Sequence, residues 1–249
     1  MNSLHPEPAV VITRVAEHQW HALSDDRVVG RGEASPRPDG RLFLSIDTWH
    51  DAEFARLASA MLPALPRPLY TVVDEADEGL KSQWERAGFT TRRREWEYVV
   101  PTSRGTVPSD VTIAPATDQE LLRSLDDVVR AEVSASVGWS SMPAEVLPRP
   151  AGAWDLAKYV VASEPGAYVG MVRLGPVRRQ TRIGLIAVRA DRRRRGIGRA
   201  LLTYVLDSLC CKGIESVSFE VDERNPAAIA LADGVGARRV GSTVELVVR

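Results

Sequence analysis

The 249-residue chain has only two cysteines, Cys210 and Cys211, and they are neighbours. Adjacent cysteines make neither a disulfide framework nor a multi-cysteine metal site, and a reduced, packed pair suits a cytosolic protein. No stretch approaches the ~20 apolar residues that a membrane helix needs. The opening residues, MNSLHPEPAV, lack the positive segment and apolar core of a signal peptide. An excess of one charge is missing too: 32 basic residues face 33 acidic ones, a formal net charge of −1. That balance argues against general attraction to nucleic acid or to an anionic membrane. The expectation is a soluble, cytoplasmic protein with no nucleic-acid or membrane partner; monomer and homodimer both stay open. Apolar mass is plentiful, with 44% hydrophobic residues, enough for a real core.

One composition shift divides the chain. Residues 101–109, PTSRGTVPS, read as a linker between a half of residues 1–100 and a half of residues 110–249. The halves resemble each other at an offset of 148 positions. That offset superposes Val73-Asp74-Glu75 on Val221-Asp222-Glu223, Gly88 on Gly236, Glu97 on Glu245, and Val99-Val100 on Val247-Val248. It also superposes two helical stripes, Phe54, Leu57, Ala58, Met61 and Leu62 on Leu202, Val205, Leu206, Leu209 and Cys210. Two copies of one architecture are expected.

The second half reads as a strand at Val111–Ala114, a helix capped by Asp118, a proline-rich loop at 142–152, and strands at 157–163, 167–174 and 182–188. A helix from about Gly196 to Cys211 follows, then a strand at 215–221 and a helix opened by Asn225 and Pro226. Residues 238–248 are extended, with a hairpin turn at Gly241-Ser242 an open option. The first half repeats the later part, with strands at 18–29, 41–46 and 69–73, helices at 51–62 and 77–87, and an extended run at 92–100. The fold class is mixed α/β. Trp84 and Trp96 are expected to pack where the halves meet.

The segment from Val188 to Leu202, VRADRRRRGIGRALL, joins a strand to a helix through a basic, glycine-containing turn. First-turn N–H groups of a helix have no internal partner, and the helix dipole adds positive potential there. Gly196 and Gly198 lack a Cβ, so a diphosphate can approach those amides closely. A solvated basic face and a nucleic-acid patch are the alternatives for the arginine run. A P-loop is excluded, because no Lys-Ser/Thr follows, and the glycine spacing is not the dinucleotide fingerprint.

Here the sequence resembles the GCN5-related N-acetyltransferase (GNAT) family. The family's Q/R-x-x-G-x-G/A, opening a helix after a strand-end valine, is similar to Val188 followed by Arg193-Arg194-Arg195-Gly196-Ile197-Gly198. Its E-V-x-x-x-N-x-x-A-x-x-L-Y-x-x-x-G-F region is similar to the run from Glu220-Val221 through Asn225, Ala228 and Leu231 to Gly236-Ala237. The likeness covers Val111 to Arg249 and implies a GNAT-like acyl-CoA N-acyltransferase fold. The first half follows it only from the second strand onward, as a truncated, degenerate copy. From Asp47 to Phe54 is seven positions, against fourteen from Val188 to Leu202, and the missing seven are the glycine loop.

The resemblance implies acetyl-CoA as cosubstrate, transfer of its acetyl group to a small-molecule amine, and one cofactor site per chain. Ile186 and Val188 would line the strand, with the Val188 N–H polarising the thioester carbonyl. Arg193, Arg194, Arg195, Gly196, Ile197, Gly198, Arg199 and Ala200 would cradle the diphosphate, and Asn225 would hold the pantetheine end or the helix start. No metal is implied. Glu220 is the candidate base, on the strand face shared with Ser218 and Asp222, where burial could raise its pKa; a solvated carboxylate, or one salt-bridged with Arg173 or Arg182, is the alternative. The family's tyrosine is replaced by Ala232, so water, Tyr168, Tyr204 or Ser140 must protonate the leaving thiolate, or turnover is lost. An acyl-CoA-binding module without turnover is therefore the second function reading. Trp139-Ser140-Ser141-Met142 and the loop after it are candidate walls of the acceptor pocket.

Overall fold

The computed structural model describes residues 10–106, 110–139, 142–143, 152–175 and 181–249. Its contacts form two compact units, one of residues up to Arg94 together with Ser242–Arg249, the other of Glu95–Gly241. The sequence division at 101–109 differs from this, because two strands each contribute to both units.

The first unit opens with β1 (Val11–Ala16), β2 (Gln19–Ser24), β3 (Arg27–Pro36) and β4 (Leu42–Thr48), an antiparallel meander. The single strand expected at 18–29 is in fact a hairpin. Asp25 (φ 47°) and Asp26 (φ 62°) fill a two-residue loop in the left-handed region that short polar side chains tolerate. β4 leads through α1 (Asp51–Met61) to β5 (Leu69–Asp74), paired in parallel at Leu42↔Leu69 and Phe43↔Tyr70. α2 (Glu78–Arg86) is capped by Asp77, whose carboxylate accepts from the Leu80 N–H at 2.9 Å. Phe54, Leu57, Ala58 and Met61 of α1 are buried in a core with Leu44, Ile46, Trp84 and Phe89.

The second unit contains β7 (Thr112–Pro115), α3 (Gln119–Ser136), β8 (Tyr159–Glu164), β9 (Ala167–Leu174), β10 (Thr181–Val188), α4 (Ile197–Cys211), β11 (Ser216–Asp222) and α5 (Pro226–Gly234). β7, β8, β9 and β10 are successive antiparallel neighbours, and β10 pairs in parallel with β11. Asp118 caps α3, accepting from the N–H groups of Glu120 and Leu121 at 2.8 and 3.0 Å. Asn225 caps α5, accepting from the Ala228 N–H at 3.1 Å, with Pro226 at the first helical position.

β6 (Thr90–Pro101) and β12 (Arg238–Val248) are each one unbroken strand. The hairpin considered at Gly241-Ser242 does not form. Within the second unit β6 pairs antiparallel with β11, Val221 opposite Trp96. Within the first, β12 pairs antiparallel with β5, Val73 opposite Val244. Shifting the second register by 148 reproduces the first, since 73 becomes 221 and 244 corresponds to 96. Each unit is thus completed by the closing strand of the other half of the sequence. Trp84 packs edge-on against Phe54 and Phe89 in the first unit, while Trp96 lies under Arg239, 3.5 Å from its ring centre, in the second. Trp84 belongs to the core of the first unit, and Trp96 packs against a small cluster of the second.

Glu75 ties the edge of the first unit together. It accepts from Arg94 Nε and Nη2 at 2.8 and 2.7 Å and from Ser242 Oγ at 2.7 Å. The Arg94 hydrogen bond first, and that of Ser242 next, hold its carboxyl below the usual carboxylate range. A depressed folded-state pKa stabilises above the unfolded value, and the contribution is lost as pH falls through the folded one. Glu75→Gln is expected to cost about 1 kcal/mol at neutral pH. Urea unfolding should show the gap to the parent protein closing in acid.

Candidate functional site

β10 and β11 pair only at Thr181↔Val217 and Arg182↔Ser218. Just beyond, β10 bulges: its register against β9 shifts between Ile183 and Leu185, around Gly184. From Leu185 to Val188 it stays paired with β9 and has left β11. The exposed backbone edge is the first element of the site. The Arg189 N–H donates to the Val169 carbonyl at 3.0 Å, and Val188 stands opposite Gly170. Ladder alternation makes Val188–Gly170 a non-hydrogen-bonded pair, so the Val188 N–H and C=O face the parted side. Arg193 Nε donates to that carbonyl at 3.1 Å, and the N–H remains for a ligand.

The second element is the start of α4. Ala190–Arg192 form one 3-10 turn, Arg194 (φ 65°) and Gly196 (φ 78°) are left-handed, and Gly196 precedes the helix without a side-chain cap. The helical ladder begins with the Ala200 N–H to the Gly196 carbonyl at 2.9 Å. The amides of Ile197, Gly198 and Arg199 come ahead of it and find no partner inside the helix. Residues 193–196 are exposed, so the turn is open to an anion. Gly198 is half-buried, and a Cβ there would sit 3.6 Å from Leu231 and 3.9 Å from Val188, ordinary contact distances. Alanine fits at 198, and a larger side chain would press on α5.

Much of the arginine run is already neutralised. Arg192 pairs with Glu164 (3.0 Å) and Asp191 (2.8 Å), Arg193 with Glu132 (3.0 Å), and Arg195 with Glu164 (3.3 Å). Arg194 and Arg199 have no acidic partner among the described residues. The local pull on an anion therefore comes from amides and two guanidinium groups rather than from a broad basic patch.

Glu220 lies on the face with Ser218 and Asp222, opposite Glu97 of β6. Burial does not isolate it: the side chain keeps 29% of its accessible surface and is ion-paired with Arg182. The salt-bridged alternative describes its surroundings. Ala232 is fully buried against Tyr98 and Val221, so no hydroxyl stands at that position. The Tyr168 hydroxyl accepts from the Thr117 and Asp118 N–H groups, both at 3.2 Å. Burial raises it, but hydrogen bonding with the Thr117 side chain, and then with those two N–H groups, outweighs burial and leaves it below the ordinary phenol range. Tyr204 is half-buried in the packing of α4. Ser140 and residues 144–151 lie outside the described residues. Trp139 folds back on α3, donating to Ser134 Oγ at 3.0 Å, with Arg130 over its ring. Ile186 lines β10, half-buried, and Asn225 is committed to the start of α5. Local pattern gave no sign of the Gly184 bulge, which depends on strand neighbours, whereas Arg182 was one of the two partners considered for Glu220 and is the one it meets.

The sequence profile of the Acetyltransferase (GNAT) family matches residues 129–236, under half of the chain. The [Ribosomal protein bS18]-alanine N-acetyltransferase of Escherichia coli K12 is 45% identical over 51 residues, 20% of this chain and 34% of that one. The Salmonella typhimurium protein of that name matches to the same extent. The match thus spans about a third of the curated relatives' length. Among solved structures, a GCN5-related N-acetyltransferase from Sphaerobacter thermophilus superposes with TM-score 0.69 at 15% identity, over 95% of this chain and 82% of that one. A tandem GNAT protein from the clavulanic acid biosynthesis pathway gives 0.64 at 14%, over 98% and 83%. A GCN5-related N-acetyltransferase from Kribbella flavida gives 0.60 at 16%, over 97% and 89%. Among the described residues no helix is long and apolar enough to cross a membrane. The chain has the fold of GCN5-related N-acetyltransferases, and residues 129–236 carry the GNAT acetyltransferase-family sequence.

Proposed function

We propose that the second unit is an acetyl-CoA-dependent N-acetyltransferase acting on a small amine, in a cytoplasmic protein with one such site per chain. The observation that carries this is the pairing of an open α4 N-terminus with a β10 edge that has parted from β11. When bound, acetyl-CoA supplies an activated acetyl thioester. The amides of Ile197, Gly198 and Arg199, with Arg194 and Arg199, hold its diphosphate. The Val188 N–H donates to the carbonyl oxygen as negative charge gathers there. Glu220 accepts a proton from the acceptor's ammonium group, directly or through one water, and Arg182 orients its carboxylate; the freed amine attacks the thioester carbon, and the C–S bond breaks with the thiolate leaving to take a proton from water.

The reading includes a tandem arrangement whose first copy is degenerate. The shared 148-residue register of the β5–β12 and β11–β6 pairings supports it. In the first copy only Trp49 and His50 separate β4 from α1, against eight residues, 189–196, between β10 and α4. The counterpart of Glu220 there is Val72. That copy has neither the diphosphate turn nor a base.

Ala232 favours a second reading, a module that binds acyl-CoA without turning it over. Thermal unfolding with acetyl-CoA, followed by thiol release across a panel of amines, separates them. A raised melting temperature with thiol release supports the transferase, and a raised one without release supports the module. No shift at saturating acetyl-CoA overturns both. Glu220→Gln is expected to lower kcat about 100-fold, the scale of a lost general base, at unchanged acetyl-CoA affinity. Turnover equal to the parent's at every pH would remove Glu220 from the mechanism.

A further inference from the structure

A concave pocket of about 320 Å³ lies in the first unit. Its walls are Arg67, Arg92 and Arg249, with Pro68, and its floor is Tyr70 beside Val247, opposite one another on β5 and β12. Three arginines line it, and the lining side chains include no carboxylate. The nearest, Glu245, is 4% exposed and is shared among Arg92, Arg41 (3.2 Å) and Arg93 (3.7 Å). Arg67 and Arg249 have no acidic partner among the described residues. Arg67 Nη1 donates to the main-chain oxygen of Arg249, the last residue of the sequence, at 2.7 Å. Each guanidinium carries five donors, so most remain free to face the pocket. Arg41 and Arg92 lie over the Tyr70 ring, 5.4 and 5.7 Å from its centre.

Like charges lining one pocket repel unless an anion joins them, and planar guanidinium forks match tetrahedral oxyanions. Sequence symmetry adds to this. The Tyr70↔Val247 pair is the 148-residue counterpart of Ser218↔Val99, on the face that carries Glu220 in the second unit. The first copy thus keeps a concavity on that face and lines it with cations in place of a base. We propose that this pocket is a binding site for a phosphate-bearing small molecule, held by Arg67, Arg92 and Arg249 through its oxyanion. The remaining volume would accommodate a compact organic group against Pro68 and Tyr70.

Inorganic phosphate is the probe, titrated calorimetrically into the full chain at low salt. Coenzyme A is kept saturating, so that the α4 turn is not the site measured. The expected result is saturable binding, one phosphate per chain, weakened about tenfold or more in Arg67→Glu/Arg249→Ala, two exposed positions whose change leaves the core intact. Acetyl-CoA affinity should be the same in that variant. Absence of saturable heat at millimolar phosphate overturns the proposal. So does binding that the double substitution leaves unchanged. Citrate or another carboxylate binding more tightly than phosphate would overturn the ligand class.

Discussion

Reversing the charges of the two unpaired arginines of the α4 turn, Arg194→Glu with Arg199→Glu, is expected to abolish acetyl-CoA binding while leaving the apo protein's stability nearly unchanged. Both side chains are exposed and have no acidic partner among the described residues, so little folding energy is at stake, about 0.5 kcal/mol or less. The effect on the ligand is much larger. Each charge-assisted hydrogen bond to a diphosphate contributes about 1.5–3 kcal/mol, and the variant replaces two of them with repulsion. Affinity should fall at least about 100-fold. At a ligand concentration giving about 2.7 kcal/mol of stabilisation to the parent, the variant would retain about 0.4 kcal/mol. Melting temperatures with and without acetyl-CoA read this directly. Reversing Arg192 and Arg193 is the contrasting case, because those side chains are held by Glu164, Asp191 and Glu132. That pair should lower apo stability and disturb binding less. Equal acetyl-CoA shifts in the parent and the Arg194/Arg199 variant would mean that the diphosphate lies elsewhere.

The parts of this site that local chemistry dictates were legible in the sequence. A strand-end valine, a glycine turn and an amphipathic helix stand next to one another in the chain, so their order, with the family resemblance, marked the α4 turn. Caps were legible for the same reason: Asp118 and Asn225 bond to amides two or three residues away. What escaped depends on neighbours far along the chain. The splay of β10 from β11 follows from a bulge whose partner is β9, and of Arg173 and Arg182, both considered for Glu220, only the fold selects Arg182, 38 residues earlier. Periodicity could not show that β12 completes the first unit and β6 the second, although the 148-residue offset already contained the register. The Asp25-Asp26 turn was missed because it lacks the Asn-Gly or Asp-Gly pair that usually marks a two-residue hairpin. β1 was missed as well, since its six residues are mostly exposed and show no sustained alternation.

A valine at Gly170 is expected to damage both the fold and the site, through one contact. Gly170 lies on β9 directly under the first turns of α4. A Cβ built there would be 3.0 Å from Leu201 Cδ1, 3.2 Å from the Ala187 carbonyl oxygen and 3.3 Å from Ile197 Cγ2. Leu201 and Ile197 are four residues apart, one turn on the same helix face, and both are buried. A branched side chain at 170 must lift that turn, because the carbonyl below it is fixed by the β9–β10 ladder. Overpacking of this kind costs about 1–3 kcal/mol, and the two close side-chain contacts with the backbone one place Gly170→Val near the upper end. Lifting Ile197 also moves the amides that precede the helical ladder, so acetyl-CoA affinity should drop about tenfold, the loss of roughly one hydrogen bond to a charged group. Leu201→Ala separates the two effects. It removes volume rather than adding it, at about 2–5 kcal/mol of stability, and exerts no upward force on the turn. Its acetyl-CoA affinity should stay near the parent value at temperatures where it is folded. If Gly170→Val binds as tightly as the parent, the amides are positioned from the β10 side alone, and the close seating of α4 on β9 serves stability only.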